Sequence, residues 1–277
     1  MGKLLRAALP RVIKSRVFWV CTAGVSLAVL YVLIQNHSYN VRYDTAFPLD
    51  RMFFGYNLLV PIQCAVFCSL FLGTEYAEGV IRNKLVVGHT RTAVYLANLI
   101  TVLIASSLMS LACLAVCAAL GVPLFGGLKM SLGAAAAILA GSFFMTLATC
   151  SVCTLGAMTV HKRAVLAILL VLGAVGLLMI AAYLQDALEA PEYLPYAMGM
   201  SVDGELVMMD DVPNPRYLTG AARQVCQFLY DFLPTGQALQ YRLGQAAHLW
   251  LMCLYSAVIT AVTTIAGLAA FRRKDIK

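Results

Sequence analysis

Glu75-Tyr-Ala-Glu-Gly-Val-Ile-Arg-Asn-Lys-Leu-Val-Val-Gly-His-Thr-Arg91 is a charged island between two charge-free stretches. Residues 53–74 (FFGYNLLVPIQCAVFCSLFLGT) precede it and residues 92–128 (TAVYLANLITVLIASSLMSLACLAVCAALGVPLFGGL) follow it. Neither flank carries Asp, Glu, Lys or Arg. About 20 apolar residues are enough for a helix to cross a bilayer, so each flank reads as a membrane span. The island then joins two antiparallel spans. About 2–8 residues can make such a connection, so this one is longer than closure needs. It marks a contact surface for something outside the membrane.

Composition extends the same reading to the whole chain. Of 277 residues, 61% are hydrophobic and 12% charged, with a mean hydropathy of +0.83. A soluble domain carries about 25% charged residues. Lipid offers the backbone no hydrogen-bond partners, so spans must be helices or a closed barrel. The apolar runs are far longer than the roughly ten-residue alternating strands of a barrel. The expected fold is an all-α integral membrane protein. Its six helices cover residues 17–34, 54–73, 93–120, 132–160, 164–184 and 247–270 of a single domain, 1–277.

Lys and Arg orient these spans. One side receives Lys3, Arg6, Arg11, Lys14, Arg16, Arg82, Lys84, Arg91, Lys162, Arg163, Arg272, Arg273, Lys274 and Lys277. The other receives Arg42, Arg51, Lys129, Arg216, Arg223 and Arg242. Of the acidic residues, only Glu75, Glu78 and Asp275 join the larger group. The positive-inside rule puts both termini and the island in the cytoplasm. The net charge of +7 follows from this bias, because cations beside spans attract anionic lipid. It does not point to nucleic acid.

Residues 1–16 do not read as a signal peptide, because the apolar run behind them is too long and no small-residue cleavage site is clear. Leu4, Leu5, Ala8, Leu9, Val12 and Ile13 share one helical face, with Lys3, Arg6, Arg11 and Lys14 largely off it. This suits an interfacial helix, with Pro10 kinking it or starting its second half. A disordered basic leader is the alternative. Residues 185–246 form an external acidic segment carrying Asp186, Glu189, Glu192, Asp203, Glu205, Asp210, Asp211 and Asp231. Pro191, Pro195, Pro213 and Pro215 break its first part into turns. Residues 217–233 then read as an amphipathic helix ended by Pro234. Leu218, Ala222, Val225, Leu229 and Phe232 form its apolar stripe, which needs cover from the spans or from headgroups.

The missing residues narrow the function. No Asp, Glu, Lys or Arg lies within the six spans, whereas ion-coupled transporters place such groups in the membrane. There is no Walker-type GxxxxGK[ST], HExxH or GxSxG. His37, His89 and His161 lie in connections, and His248 sits at the outer end of the last span. Cysteines 21, 64, 68, 113, 117, 150, 153 and 253 fall inside apolar spans without His or carboxylate partners. They read as small hydrophobes rather than metal ligands or disulfides. No catalytic residue and no cofactor is expected in this chain, so energy for vectorial work has to arrive through a partner.

The island offers the route. Read as a helix from Glu75, it aligns Ala77, Ile81 and Leu85, flanked by Tyr76 and Val80. Glu78 and Arg82 stand in the order that favours a helical ion pair. Gly79 permits a bend, Gly88 sits where a C-terminal cap belongs, and Thr90 or Thr92 can cap the next span. The run Glu75…Gly79-Val-Ile-Arg-Asn-Lys-Leu…Gly88-His-Thr-Arg91…Tyr95-Leu-Ala-Asn-Leu-Ile100 resembles the first cytoplasmic loop of the ABC-2-type permeases, the transmembrane subunits of type-2 ABC exporters. Phe228-Leu-Tyr-Asp-Phe-Leu-Pro-Thr-Gly-Gln237 is similar to their external re-entrant helical region, and Phe271-Arg-Arg-Lys-Asp-Ile-Lys277 to their common ending. The basic N-terminus resembles their elbow helix.

The resemblance implies a bacterial plasma-membrane permease whose island docks into a separate ATPase subunit, which holds the ATP and magnesium. A second permease chain, identical or different, would complete the pathway. Tyr76, Val80, Ile81 and Leu85 would pack in that contact. Glu75, Glu78, Arg82, Lys84 and Arg91 would pair with the ATPase or with headgroups, and Gly79, Asn83 and Gly88 complete the segment. Replacing Ile81 and Leu85 by Asp should then leave insertion intact and abolish ATPase co-purification. The alternative for the island is a solvated loop that only sets topology. Two rival functions remain: a non-transporting relay from an ATPase to an external partner, and a secondary transporter. Met109, Phe143, Phe144, Met145 and Met179 suggest an amphipathic cargo, with peptides, drugs and lipids all open.

Overall fold

A computed structural model describes residues 2–45, 47–160, 162–194, 197–200, 206–209, 212–244, 246 and 248–273. The sequence readings at His161, Pro195, Asp203, Glu205, Asp210, Asp211, Lys274, Asp275 and Lys277, and the predicted start of the sixth span at residue 247, lie outside them.

Among the described residues, six helical stretches are long and apolar enough to cross a membrane: Arg16–Tyr43, Asp50–Ala77, Arg91–Phe125, Leu132–Thr159, Arg163–Glu189 and Leu249–Arg273. Each predicted span lies within or across one of them. The first runs nine residues past its predicted end, as α2 (Arg16–Tyr43), after a short preceding helix, α1 (Gly2–Lys14). Hydropathy marks only the lipid-matched part of a helix, and the polar run after residue 34 holds no breaker. The helix stops at Asp44, which takes the left-handed conformation at φ 50° and donates its N–H to the Asn40 carbonyl. The second stretch is composite. A single turn, α3 (Asp50–Phe53), and a 3-10 turn over Gly55–Leu59 lead into α4 (Val60–Ala77), with Pro61 in its first turn, where no donor is missed.

After α4 come the short α5 (Val80–Val86) and the long α6 (Arg91–Val116). A π turn over Cys117–Gly121 and α7 (Val122–Phe125) finish that third span. Then α8 (Leu132–Thr159) starts under a Ser131 cap whose hydroxyl accepts the Ala134 N–H at 3.2 Å. It is followed by α9 (Arg163–Glu189). The centre of the bundle is α4 and α8, the most enclosed spans, with α2, α9 and α12 (Leu249–Arg273) outside them. α12 lies along α8. Several hydroxyls inside α8 bond within their own helix: Ser142 donates to the Ile138 carbonyl and Thr146 to that of Ser142. Lipid offers no partner to such groups, so they turn back on the helix or to a neighbouring one, as Ser151 does in accepting the Thr263 hydroxyl of α12 at 2.8 Å.

α1 runs unbroken through Pro10, where a kink or second start was expected. Pro10 and Arg6 lie on its exposed side, so the carbonyl that loses its partner faces outward. Leu4, Ala8 and Val12 are buried, whereas Ile13, expected on that face, is exposed. The nine cysteines are all free, six of them buried, and Cys64 and Cys150 meet at 3.7 Å between sulfurs.

The segment between α9 and α12 adds what helical periodicity did not show. Two short strands, β1 (Ala197–Met200) and β2 (Leu206–Met209), pair antiparallel with Ala197 opposite Met209. The amphipathic helix is present as α10 (Gly220–Phe232), with most of its expected apolar stripe left uncovered by the spans. Ala222, Val225 and Leu229 are exposed, while Tyr230 and Asp231 are buried. Pro234 ends α10 as expected and also opens a second helix, α11 (Pro234–Arg242), buried over most of its length.

Close helix approach rests on a few glycines. A Cβ at Gly267 of α12 would run into the Tyr95 hydroxyl of α6. Gly267→Val is therefore expected to force these helices apart and cost about 1–3 kcal/mol, as overpacking does. Thermal unfolding of the purified chain in detergent would show it, and Gly24→Val, where a Cβ meets nothing, is the control.

Candidate functional site

The island forms a hinged pair of helices rather than one helix from Glu75. Glu75, Tyr76 and Ala77 are the last turn of α4. Glu78 is its cap, and Gly79 takes φ 67°, a left-handed conformation open to glycine without a Cβ penalty. α5 then leaves in a new direction, so the Glu78–Arg82 pair expected on a continuous helix does not form. The far end closes as the cap signals indicate. Gly88, at φ 97°, donates its N–H to the Leu85 carbonyl, and His89 donates to that of Lys84. These two bonds are the paired closure of a Schellman motif. The Thr90 hydroxyl then accepts the Ala93 N–H at 3.2 Å and starts α6.

Side chains divide this turn into an inner and an outer face. Ile81 is 1% exposed, with Tyr76 and Leu85 packed partly buried beside it. The Tyr76 hydroxyl donates to the Met158 carbonyl at the end of α8, at 3.1 Å. Arg82, Asn83 and Glu78 face outward, and Val80 is half-buried. Val86 and Val87, at 77% and 78% exposure, form an apolar apex. Periodicity along the Ala77–Ile81–Leu85 line passes them over. Two adjacent exposed valines at the tip of a short helix are nonetheless visible in the sequence.

Glu75 is the least expected residue. Sequence placed it on a surface, paired outward, but it is 1% exposed and both its oxygens are occupied from within the chain. Oε1 accepts Arg11 Nη1 of α1 at 2.6 Å, and Oε2 accepts Lys84 Nζ of α5 at 2.7 Å. Lys84 Nζ also reaches Asn98 Oδ1 of α6 at 3.3 Å. A buried carboxylate is tolerated when its lone pairs are filled by charged donors. The Lys84 bond is the better shielded of the two, since Arg11 remains half-exposed and is screened more strongly. Arg91 also points inward. Its Nη1 donates to the Phe271 and Arg272 carbonyls at 2.9 Å each, the partially negative end of α12. Arg272 returns a bond to Thr92 Oγ1 at 3.2 Å.

A second polar cluster lies at the other end of the bundle. Asp231 is buried at the end of α10. Its Oδ1 accepts Gln227 Nε2 and Gln240 Nε2, both at 2.9 Å, and its Oδ2 lies 3.1 Å from His248 Nδ1. Gln237 of α11 reaches the Asp231 and Met252 carbonyls and accepts the Ser256 hydroxyl at 2.7 Å. Burial first, then the Glu189 and Asp231 carboxylates, push the adjoining Tyr230 phenol well up. His248, read as an interfacial residue, is thus a partner of a buried carboxylate. Of the residues singled out for cargo, Met109 and Met145 are core, whereas Phe143, Phe144 and Met179 face outward. They do not line one site.

Residues 11–183 match the model of the ABC-2 family transporter protein, well over half the chain and including the whole island. The chain belongs to the ABC-2 transporter family. No curated protein matches it. With six apolar helices, it is a multi-pass membrane protein and a membrane permease of an ABC transporter. The match ends within α9, so α10, α11 and α12 of this ABC-2 permease lie beyond it.

Proposed function

We propose that this permease is the transmembrane subunit of an exporter driven by a separate ABC ATPase, with α5 as the docking element. The observation that carries this is the outer face of the island. A short helix, braced from within by Ile81 and Glu75, presents Val86 and Val87 at its tip among Arg82, Asn83 and Glu78. Two bare valines are unfavourable in water and favour a partner with an apolar cleft. The surrounding charges suit pairing at the rim of such a contact. ATP and magnesium are bound by the partner, and this chain supplies no catalytic group. A second permease chain completes the pathway, and residues 1–277 act as one transmembrane domain.

The end that carries the island also carries α1, Arg163, Arg272 and Arg273, a concentration of cations suited to the cytoplasmic face of a bacterial plasma membrane. α1 would lie in that interface, and the exposed stripe of α10 would lie among headgroups on the other side. The cargo is amphipathic. ATP-driven closure of the ATPases pushes α5, and the spans, whose apolar middles hold no Asp, Glu, Lys or Arg, respond mechanically.

Replacing Val86 and Val87 together by Asp is expected to abolish co-purification of a co-expressed ABC ATPase subunit. Membrane insertion and the melting profile of the chain should not change, since both side chains are already exposed. Retention of the ATPase by this variant would rule α5 out as the docking element.

A further inference from the structure

Resting on the docking assignment of α5, we propose that Glu75 is a positioning residue, the centre of a transmission joint that makes α1, α4, α5 and α6 move as one body. The backbone alone does not provide this. Glu78 and the left-handed Gly79 separate α4 from α5, so no continuous helix sets the angle between them. Lys84 lies in the second turn of α5, beyond that hinge. Its bond to Glu75 spans the hinge and closes the two helices into a fixed angle. The same ammonium reaches Asn98, which adds α6.

Oε1 of the carboxylate extends the joint to α1. That helix packs one face, Leu4, Ala8 and Val12, on the bundle, and the carboxylate adds a directed polar tie to α4. Arg11 binds the helix to Glu75 at 2.6 Å and also lies over the Phe71 ring of α4, 5.8 Å from its centre. On the other side of the island, Arg91 and Arg272 bind the start of α6 to the end of α12 by reciprocal bonds. A push at Val86 and Val87 is therefore delivered to four elements through one buried carboxylate, and to α12 through Arg91. Glu75 makes no contact at the exposed apex, so its effect is on the stiffness of the joint and not on the docking surface.

The test uses the full chain in lipid nanodiscs, with spin labels on the exposed positions Ile13→Cys of α1 and Val87→Cys beyond α5. The remaining cysteines that the label reaches are replaced by Ser. With Glu75 intact the distance distribution between the labels is expected to be narrow. Glu75→Gln keeps the shape but loses the charge that holds both cations, and is expected to broaden it. Lys84→Gln is expected to broaden it as well, and Lys84→Arg, which still spans the hinge, to keep it narrow. In the unlabelled complex, Glu75→Gln is expected to keep ATPase co-purification and the KM for ATP, and to lose the permease-dependent part of kcat. An unchanged distance distribution in Glu75→Gln, or a broad one in the parent, overturns the joint. Loss of co-purification with the distribution intact also overturns it, making Glu75 a docking residue. Failure of the parent chain to bind any ATPase would instead refute the docking assignment, leaving the distance measurement to decide the joint on its own.

Discussion

Asp231→Ala is expected to destabilise the chain by about 1–3 kcal/mol, the cost of leaving buried amide donors without their acceptor. Asp231 is nearly inaccessible and accepts from Gln227, Gln240 and His248 at 2.9–3.1 Å. Truncation would leave the Gln227 amide without this acceptor and His248 without its carboxylate. Gln240 would keep only its long bond to the Tyr230 carbonyl, 3.4 Å. The cost is concentrated where α10, α11 and the start of α12 meet, so these elements should loosen together. Asp231→Asn retains an acceptor for the two glutamines and gives up the charge, which is worth about 1 kcal/mol by the difference between neutral and charged hydrogen bonds. Thermal unfolding in detergent, read by a thiol-reactive dye, suits this chain because six of its cysteines are buried. The expected order of stability is wild type, then Asp231→Asn, then Asp231→Ala. Equal stability of the three would show that the network does not hold this end together.

The legible parts of this fold are those where one physical demand dominates. Lipid excludes charge, so six spans stand out from apolar runs, and their cores are where hydropathy puts them. Span ends are set by different rules. α2 continues to Tyr43 because residues 35–43, though mostly weak helix formers, include no Gly or Pro to break it before Asp44 turns left-handed. Cap signals are local, which is why Gly88 and Thr90 act as their positions indicate. Charge direction is not local. Periodicity turns Asp231 and Glu75 outward, because it knows nothing of partners far off in sequence. Asp231 is buried by residues as far away as His248, and Glu75 by Arg11 on another helix. The i, i+4 pair Gln227 and Asp231, followed by Gln237 and Gln240 in an apolar context, was the available sign of a buried network. Pro234 shows a similar ambiguity. As a sequence signal it stops a helix, and the same fixed φ that stops α10 suits the first turn of α11.

Ile81→Asp is expected to fail by unpacking the island, not by losing a partner, although its position on a helical line makes it look like a docking residue. Ile81 is 1% exposed, on the side of α5 that faces the bundle. Removing a buried Ile side chain costs about 2–5 kcal/mol through lost transfer and the cavity left behind. Introducing a carboxylate there adds a further penalty of several kcal/mol unless it finds a partner. Arg82 faces outward, and Lys84, one helical turn on, is already engaged by Glu75 and Asn98. An Asp at 81 would compete for it and so weaken the Glu75 bond as well. Because α5 is short and hinged at Gly79, the damage should stay local: the spans insert, and the turn over residues 78–90 opens. Limited proteolysis of the purified chain is the direct measurement. Cleavage between 78 and 90 should accelerate strongly in Ile81→Asp and stay at the wild-type rate when Val86 and Val87 are both replaced by Asp. That contrast separates the two faces of α5. If both variants lose the ATPase but only Ile81→Asp becomes protease-sensitive, the valines carry the contact and Ile81 holds the helix that presents them. If Ile81→Asp resists protease yet loses the ATPase, α5 must turn its other face to the partner, and the inner and outer assignments exchange.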